Sequence, residues 1–300
     1  MNQNNAHVEA LFVSIGASSV RHRIGVMQGR LSPPRCGRIQ SFPVDTWREE
    51  FGLARQAGLD CIEWIYEKEA AENNPLTTDE GIAEIKLLAE TSGVAVGSVC
   101  GDYYMKERLV TRTGRVQGDV VEHLQWLLGR IRLLGGHYIV LPFVDASSLN
   151  SSLEIEGLVK VIETIISTAE YAGVELHLET DLSPSELVSL LERISHPLVR
   201  ANYDTGNSAA LGQDPVKELT LLGPWLGSVH VKDRVLGGGT VPLGTGAVDF
   251  PAFFSLLGAA DYGGPFILQA AREEGLREVE LAARNKLFVK EQLLSSVGTN

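Results

Sequence analysis

The stretch VELHLETDLSPSELVSLLERISHPLVRANYDTG (residues 174–206) decides the fold. Its opening, VELHLET (174–180), alternates apolar and polar side chains with the period of two that a strand requires. SPSELVSLLERI (183–194) then reads as a helix. Ser183 is its cap, and Pro184 stands at the first helical position, where a missing N–H costs nothing. VRANYDTG (199–206) returns to strand. Strand, helix, strand over so short a span implies two parallel strands joined by a crossover helix.

Working outward, the same rhythm recurs. Strand-like runs lie at IGVMQG (24–29), CIEWIY (61–66), VAVGSVCG (94–101), HYIVLPF (137–143), GSVHVKD (227–233) and PFILQAA (265–271), giving about eight with the two above. Between them, TWREEFGLARQAG ends at Gly58, TTDEGIAEIKLLAETSG runs from a Thr cap to Gly93, GDVVEHLQWLLGRIRLLGG ends in a glycine pair, and LEIEGLVKVIETIISTAEYAG ends at Gly173. Glycine after a last turn takes the left-handed conformation that stops a helix. Eight strand–helix units in 300 residues predict an α/β fold, a closed (β/α)₈ TIM barrel in a single domain. The rival, an open doubly wound sheet, usually carries a Gly-rich turn after its first strand, and MQGRLSPPR matches G-x-G-x-x-G poorly. Residues 1–20 read as an N-terminal arm ahead of a catalytic barrel over 21–300. LSPPRCGRIQSFPV (31–44) reads as a long loop of the kind that contributes to sites.

Composition narrows the function. Apolar residues make up 44% and charged residues 21%, enough for a large core. Asp and Glu number 38 against 26 Lys and Arg, a net charge of −12, which disfavours nucleic acid and anionic membrane as partners. Cys36, Cys61 and Cys100 are widely spaced and form no disulfide or zinc framework, so a reducing, cytoplasmic setting is expected. MNQNNAHVEA has no basic region, and no apolar run approaches the ~20 residues of a membrane span.

In a barrel of this type the active site forms at the C-terminal ends of the strands. Glu63, Asp102, His177 with Glu179, Asn202 with Asp204, His230 with Lys232, and Gln269 occupy those ends. The period of two puts His177 and Glu179 on one face, Asn202 and Asp204 on one face, and Ser228, His230 and Lys232 on one face. With those faces inward, Glu179, Asp204, His230 and Gln269 converge from four consecutive strands. One imidazole, two carboxylates and an amide carbonyl suit Mn²⁺, Mg²⁺ or Co²⁺, and zinc less exclusively. Without a cation, two buried carboxylates repel one another and are costly to desolvate. Any one of the four alone reads equally well as a hydrogen-bonded core group or a strand-end cap. All four at the same end of successive strands are hard to explain by packing.

At these residues the chain resembles the xylose-isomerase-like TIM-barrel superfamily, which includes sugar and sugar-phosphate isomerases and epimerases, inosose isomerases and dehydratases, and apurinic endonucleases. The resemblance runs from IGVMQGRLSP to ILQAARE. It is carried by GLDCIEW, HLET, YDTGN, SVHVKDR and the loop VPLGTGAVDF. It implies one divalent metal ion (Mn²⁺, Mg²⁺, Co²⁺ or Zn²⁺) held by Glu179, Asp204, His230 and residue 269. Members of the group carry Glu at that last position, whereas this chain has Gln269. In 3-epimerases of the group, two Glu residues face opposite sides of the substrate carbon. Gln cannot exchange a proton near neutral pH, so half of that pair is missing here. One-base proton transfer, as in aldose–ketose isomerisation, and β-elimination remain open.

The resemblance further implies Glu179 as base and ligand, Lys232 as electrostatic helper, and Glu63 as a mouth residue for substrate binding or proton transfer. Each reads alternatively as a structural group. Asn207, three residues after Asp204, suits a substrate hydroxyl or a helix cap. Arg234 and Arg272 suit a carboxylate or phosphate. His177 lies deeper than Glu179, where a supporting place is favoured over a base, and is carried as a substrate contact. Asp233 points away from the Lys232 face and suits the orienting of a loop. Trp64 and Tyr103 are candidates for an apolar wall. GGG (237–239) reads as a flexible tip. The expectation is a metal-dependent sugar or sugar-phosphate isomerase or epimerase acting through an enediolate. The alternatives are a dehydratase or lyase on an inosose or keto-sugar, and a non-catalytic metal- and sugar-binding protein. The extra His ligands and basic groove of an apurinic endonuclease are not found. Dimers or tetramers are usual in the group, so a homo-oligomer is expected by resemblance.

Overall fold

Eight parallel strands close on themselves. The computed structural model describes residues 22–297, so the expected arm over 1–20 lies outside the described residues. The barrel strands are β1 (Ile24–Met27), β2 (Cys61–Ile65), β3 (Ala95–Cys100), β4 (Tyr138–Phe143), β5 (Glu175–Thr180), β6 (Val199–Asp204), β7 (Leu226–Val231) and β10 (Phe266–Leu268). Around the barrel they run β1-β10-β7-β6-β5-β4-β3-β2, and β1 pairs in parallel with both β2 and β10. Between β7 and β10 the chain adds an antiparallel ribbon of β8 (Asp233–Arg234) and β9 (Thr240–Val241). The closed (β/α)₈ barrel, in one domain, is the fold the sequence predicts.

The helices form where the start and stop signals place them. Thr78 caps Asp79–Ser92 through a bond from Gly81 N, and Gly93 ends that helix in the left-handed region at φ 73°. Ser183 and Glu186 form a reciprocal capping box at Pro184–Ile194. Gly135 and Gly173 close Gly118–Leu134 and Ser152–Ala172 in the same left-handed manner as Gly93. Each strand turns one face to the surrounding helices and the other into the barrel. On β5, Leu176 and Leu178 join the apolar core while His177 and Glu179 hydrogen-bond within the barrel. On β7, Val229 and Val231 do the same opposite Ser228 and His230.

Trp64 corrects one expectation. It lies on the outer face of β2, fully buried against Phe42 and Trp47 at ring-centroid distances of 5.7 and 5.5 Å. Its Nε1 donates to Asn74 Oδ1 at 3.0 Å, so it supports the helical layer and forms no wall for a sugar. The Tyr103 ring is stacked on His123 at 4.3 Å.

Asp233 holds the loop that follows the ribbon. Its carboxylate accepts from Gly244 N and Gly246 N, each at 2.9 Å, and from Val248 N at 3.2 Å. Its neighbour Lys232, one residue out of phase, faces the barrel mouth.

Candidate metal and proton-transfer site

The four residues expected to converge do come together at the C-terminal mouth. One ligand atom from each of Glu179, Asp204 and His230 lies within 4.8 Å of the others, and all three residues are buried. Asp204 is the last residue of β6 and the cap of the helix Thr205–Ala210; its Oδ1 accepts from Asn207 N at 2.8 Å. That leaves Oδ2, which lies 2.7 Å from Lys232 Nζ. Glu179 Oε1 accepts from Asn207 Nδ2 at 2.9 Å, and Glu179 Oε2 is 3.7 Å from His230 Nδ1. The side-chain amide nitrogen of Gln269 lies 3.0 Å from the same Nδ1. A half-turn of that amide exchanges its nitrogen for its oxygen, so Gln269 can present either to the cluster.

The electrostatics reflect the crowding. Burial pushes Glu179 up to about 7, with Asp204 adding to the rise and His230 and Lys232 opposing it. Burial alone pulls His230 down, but Glu63, Glu179 and Asp204 outweigh it and hold the imidazole at about 9. Glu63 is lowered: its own burial is outweighed by His230 and by hydrogen bonds. The cluster is thus an anionic cage whose charge is offset by His230 and Lys232. A divalent cation would relieve the same repulsion, and the oxygen and imidazole donors fit such an ion.

Around this core the other expected residues fall into place unevenly. Asn207 caps no helix: it lies within Thr205–Ala210, which Asp204 caps, and Asp214 caps the next one. Its side chain instead joins three groups, donating to Glu179 and accepting from Lys232 Nζ at 3.3 Å and Arg234 Nη1 at 3.0 Å. Arg234 also donates through Nε to Gly238 O at 2.9 Å, which ties the glycine tip of the ribbon to the mouth.

Three placements differ from expectation. Glu63 does not stand at the mouth. It is fully buried inside the barrel, where Oε1 accepts from His230 Nε2 at 2.6 Å and Oε2 accepts from Ser98 Oγ at 2.8 Å. His177 is also held below the mouth. Its Nδ1 bonds Ser228 Oγ and its Nε2 bonds Glu175 Oε2, both at 2.8 Å, and its ring stacks on Tyr138 at 4.2 Å. With both nitrogens engaged, it offers no substrate contact. Arg272 donates to Ser32 O at 2.8 Å and Gly29 O at 2.6 Å and pairs with Glu278 at 3.2 Å. It stitches the loop after β1 to the segment after β10, and is no free anion clamp.

The sequence reading missed Arg30, Gln40 and Ser98. Arg30 donates to Ala270 O at 2.9 Å, and Gln40 donates to Asp102 Oδ2 at 2.8 Å. Burial and the neighbouring Arg272 lower Arg30 to about 10, while Asp204 and Asp102 pull the other way. Arg30 and Gln40 lie at and beyond the end of β1, in the region of the long loop, but no spacing rule singles them out. Ser98 shares the phase of Cys100 on β3, but its place beside Glu63 comes from the β2–β3 register, which is shifted at Ile62 and Glu63.

Comparison with known proteins agrees with this architecture. Residues 51–291 match the family described as xylose isomerase-like TIM barrel. L-ribulose-5-phosphate 3-epimerase UlaE of Salmonella paratyphi C is 24% identical over 261 residues, covering 84% of this chain and 92% of its own. The putative L-ribulose-5-phosphate 3-epimerase SgbU of Haemophilus influenzae is 27% identical over 280 residues, covering 86% and 93%. Among solved structures, a xylose isomerase domain protein from Planctomyces limnophilus superposes with a TM-score of 0.70 at 19% identity, covering 92% of this chain and 98% of that one. The 3-keto-D-glucoside 4-epimerase YcjR from E. coli gives 0.66 at 18% identity, covering 90% and 100%. A match over most of the chain, on a barrel with this cluster at its mouth, places the protein in the xylose isomerase-like TIM-barrel family.

Proposed function

We propose that the protein is a divalent-metal-dependent isomerase or epimerase of a sugar or sugar phosphate, acting by proton removal next to a carbonyl. The observation that carries this reading is the Glu179 carboxylate: buried, beside Asp204 and His230, and adjoined by Asn207. Glu179, Asp204, His230 and the amide oxygen of Gln269 would hold the ion, which when bound polarises the vicinal carbonyl and hydroxyl oxygens of the substrate and favours an enediolate. Glu179 takes the proton from carbon, since it is the carboxylate of the cluster with no cation closer than the 3.7 Å to His230. Asn207 keeps its Oε1 oriented. The Lys232 ammonium, at the rim, faces the oxyanion that develops as the proton leaves.

Gln269 restricts the fate of the enediolate. It neither accepts nor returns a proton, so the Glu179 carboxyl, after exchange with solvent, either protonates the adjacent carbon or gives its proton to a β-hydroxyl that leaves the enediolate as water. The second course is a dehydratase or lyase on a keto-sugar, and Gln269 favours either course over two-base 3-epimerisation. Two of the cysteines, Cys61 and Cys100, are free and buried, which suits a cytoplasmic enzyme. No helix among the described residues is long and apolar enough to cross a membrane.

The test is a screen of ketoses, inososes and their phosphates in heavy water with Mn²⁺ present, read by NMR at each carbon. Deuterium entering next to the carbonyl, and lost in Glu179→Gln, supports the reading. Binding of Mn²⁺ and sugar with no exchange at any carbon favours a non-catalytic binding protein.

A further inference from the structure

We propose that Glu63 is the residue that positions His230 for the metal ion, with Ser98 fixing Glu63 in turn; the proposal rests on the reading of the cluster as a metal site. Three facts of geometry carry it. Glu63 and His230 are both fully buried, and their side chains meet across the barrel at 2.6 Å between Oε1 and Nε2. The second Glu63 oxygen is taken by the Ser98 hydroxyl at 2.8 Å. The remaining imidazole nitrogen, Nδ1, is the one turned toward Glu179 Oε2 and Gln269.

An imidazole that ligates a metal needs one nitrogen bare and the other protonated. A carboxylate on Nε2 settles which is which. It accepts the Nε2 proton, leaves the lone pair on Nδ1, and holds the ring plane so that this lone pair points into the cluster. It also makes the ring a stronger donor. Ser98 removes the slack, because a carboxylate bonded through one oxygen alone can pivot. Both Glu63 oxygens are occupied and the side chain is closed to solvent, so it has no free oxygen for a substrate proton. Packing alone does not account for it. A buried carboxylate with nothing to orient costs more than an apolar side chain of the same size. The residue is therefore a positioning residue, and the sequence expectation of a proton-transfer role at the mouth is replaced by this one.

The experiment uses the full chain and Mn²⁺ as the probe. Mn²⁺ affinity is measured by titration calorimetry for the native protein, Glu63→Ala, Glu63→Gln, Ser98→Ala and, as the control, Asp204→Ala. Circular dichroism and thermal melting accompany each variant. Glu63→Ala is expected to weaken Mn²⁺ binding by about 10–100-fold. Glu63→Gln keeps an oxygen that accepts from Nε2 and is expected to recover most of that loss, as simple cavity formation would not. Ser98→Ala is expected to lose several-fold. If Glu63→Ala does not fold, Glu63→Gln and Ser98→Ala decide the matter through the His230 ring. In ¹⁵N spectra of the protein loaded with diamagnetic Zn²⁺, the native His230 ring is expected to keep its one remaining proton on Nε2, and Ser98→Ala to show weakened or mixed coordination. Native-like Mn²⁺ affinity in both Glu63→Ala and Ser98→Ala overturns the positioning role. If Asp204→Ala binds Mn²⁺ as tightly as the native protein, the metal-site reading itself fails.

Discussion

The Lys232 ammonium lies 2.7 Å from Asp204 Oδ2, the carboxylate oxygen left over after Oδ1 has capped the next helix. The lysine thus stands as a cation against the very group that would ligate a metal. It is held there by its place between β7 and β8, two residues past His230, and by the Asn207 amide oxygen at 3.3 Å. Asp204 consequently serves as helix cap and ion-pair partner, and in the proposed site the same side chain would also be a ligand.

Removing the two partners should have opposite consequences for the metal. Asp204→Ala deletes an anionic ligand and should weaken Mn²⁺ binding by at least ~100-fold, about 2.7 kcal/mol or more. Lys232→Met removes a competing positive charge and should leave Mn²⁺ binding unchanged or a few-fold tighter, while proton exchange slows by about 10–100-fold through loss of the oxyanion partner. Titration calorimetry and deuterium exchange measure the two effects separately. Lys232→Met losing the metal while Asp204→Ala keeps it would mean that the cluster is not the ligand set.

Glu154 gives the protein a carboxylate-dependent brace between the segments that follow β3 and β4. Its side chain, 2% exposed, takes Arg108 at 2.7 Å and Arg112 at 3.0 Å, and it accepts from Asn150 N at 3.0 Å. Burial raises its pKa, but the Asn150 N–H, Arg112 and Ser151 outweigh that and leave it below the usual 4.5. A depressed acid stabilises the folded state above its unfolded pKa, and that stability is lost as pH falls through the folded value. Glu154→Gln should therefore cost about 1.5–3 kcal/mol near neutral pH. The gap to the native protein should narrow as pH falls below about 4.5. Urea unfolding at pH 7, 5 and 3.5 is the measurement, and a gap that widens toward acid would contradict the assignment.

Two glycines should respond to alanine in opposite directions. Gly52 is exposed in the middle of the helix Glu49–Gln56, and nothing lies within 4 Å of where a Cβ would stand. Gly52→Ala should stabilise the protein by about 0.5–1 kcal/mol. At Gly227 a Cβ would lie 2.5 Å from the His177 ring. That ring is locked between Glu175, Ser228 and Tyr138 and has nowhere to go, so Gly227→Ala should destabilise by about 1–3 kcal/mol. Equilibrium unfolding of the two variants checks both signs.

The same contrast explains what could be read in advance. All eight barrel strands were legible because short β-branched apolar runs and glycine stops are local signals. Among the helices that were not read, Pro215–Leu222 does carry a start signal, Asp214 as cap followed by Pro215, whereas two others lack an apolar stripe. Thr205–Ala210 is six residues of TGNSAA with no apolar stripe, and Phe250–Ala259 is apolar almost all round, so neither shows a 3.6-residue rhythm. The convergence of Glu179, Asp204, His230 and Gln269 was legible because each sits at a strand end in a known phase. Glu63 shares that phase, and what it touches does not follow from phase. Its contact with His230 crosses the barrel between strands 167 residues apart in sequence. Arg272 was misread for a related reason. An arginine after a strand looks free until the loop after β1, from Gly29 to Ser32, is seen to close over it.

Gln269 carries the last prediction. It stands on the turn of chain that leaves β10, its backbone N–H bonded to Val231 O at 2.9 Å, and its amide is beside His230 at 3.0 Å. Glu is nearly isosteric, so Gln269→Glu should fold and should bind Mn²⁺ more tightly, by the addition of a fourth anionic or imidazole donor. The proton chemistry should change as well. On the proposed reading one carboxylate, Glu179, is available to carbon, so exchange should be confined to one face of the substrate and Glu179→Gln should remove it by about 10²–10⁴-fold. Gln269→Glu adds a second carboxylate beside the imidazole, and with it a route for a proton to return from another direction. The native reaction should be weakened or unchanged, with new 3-epimerisation appearing alongside it. Position-resolved deuterium incorporation into a ketose, followed by sugar analysis, distinguishes these outcomes. Vigorous C3 epimerisation by the native protein that survives Glu179→Gln would place the base elsewhere. Asp102, held at the mouth by Gln40 and Cys100, would then be the first carboxylate to replace.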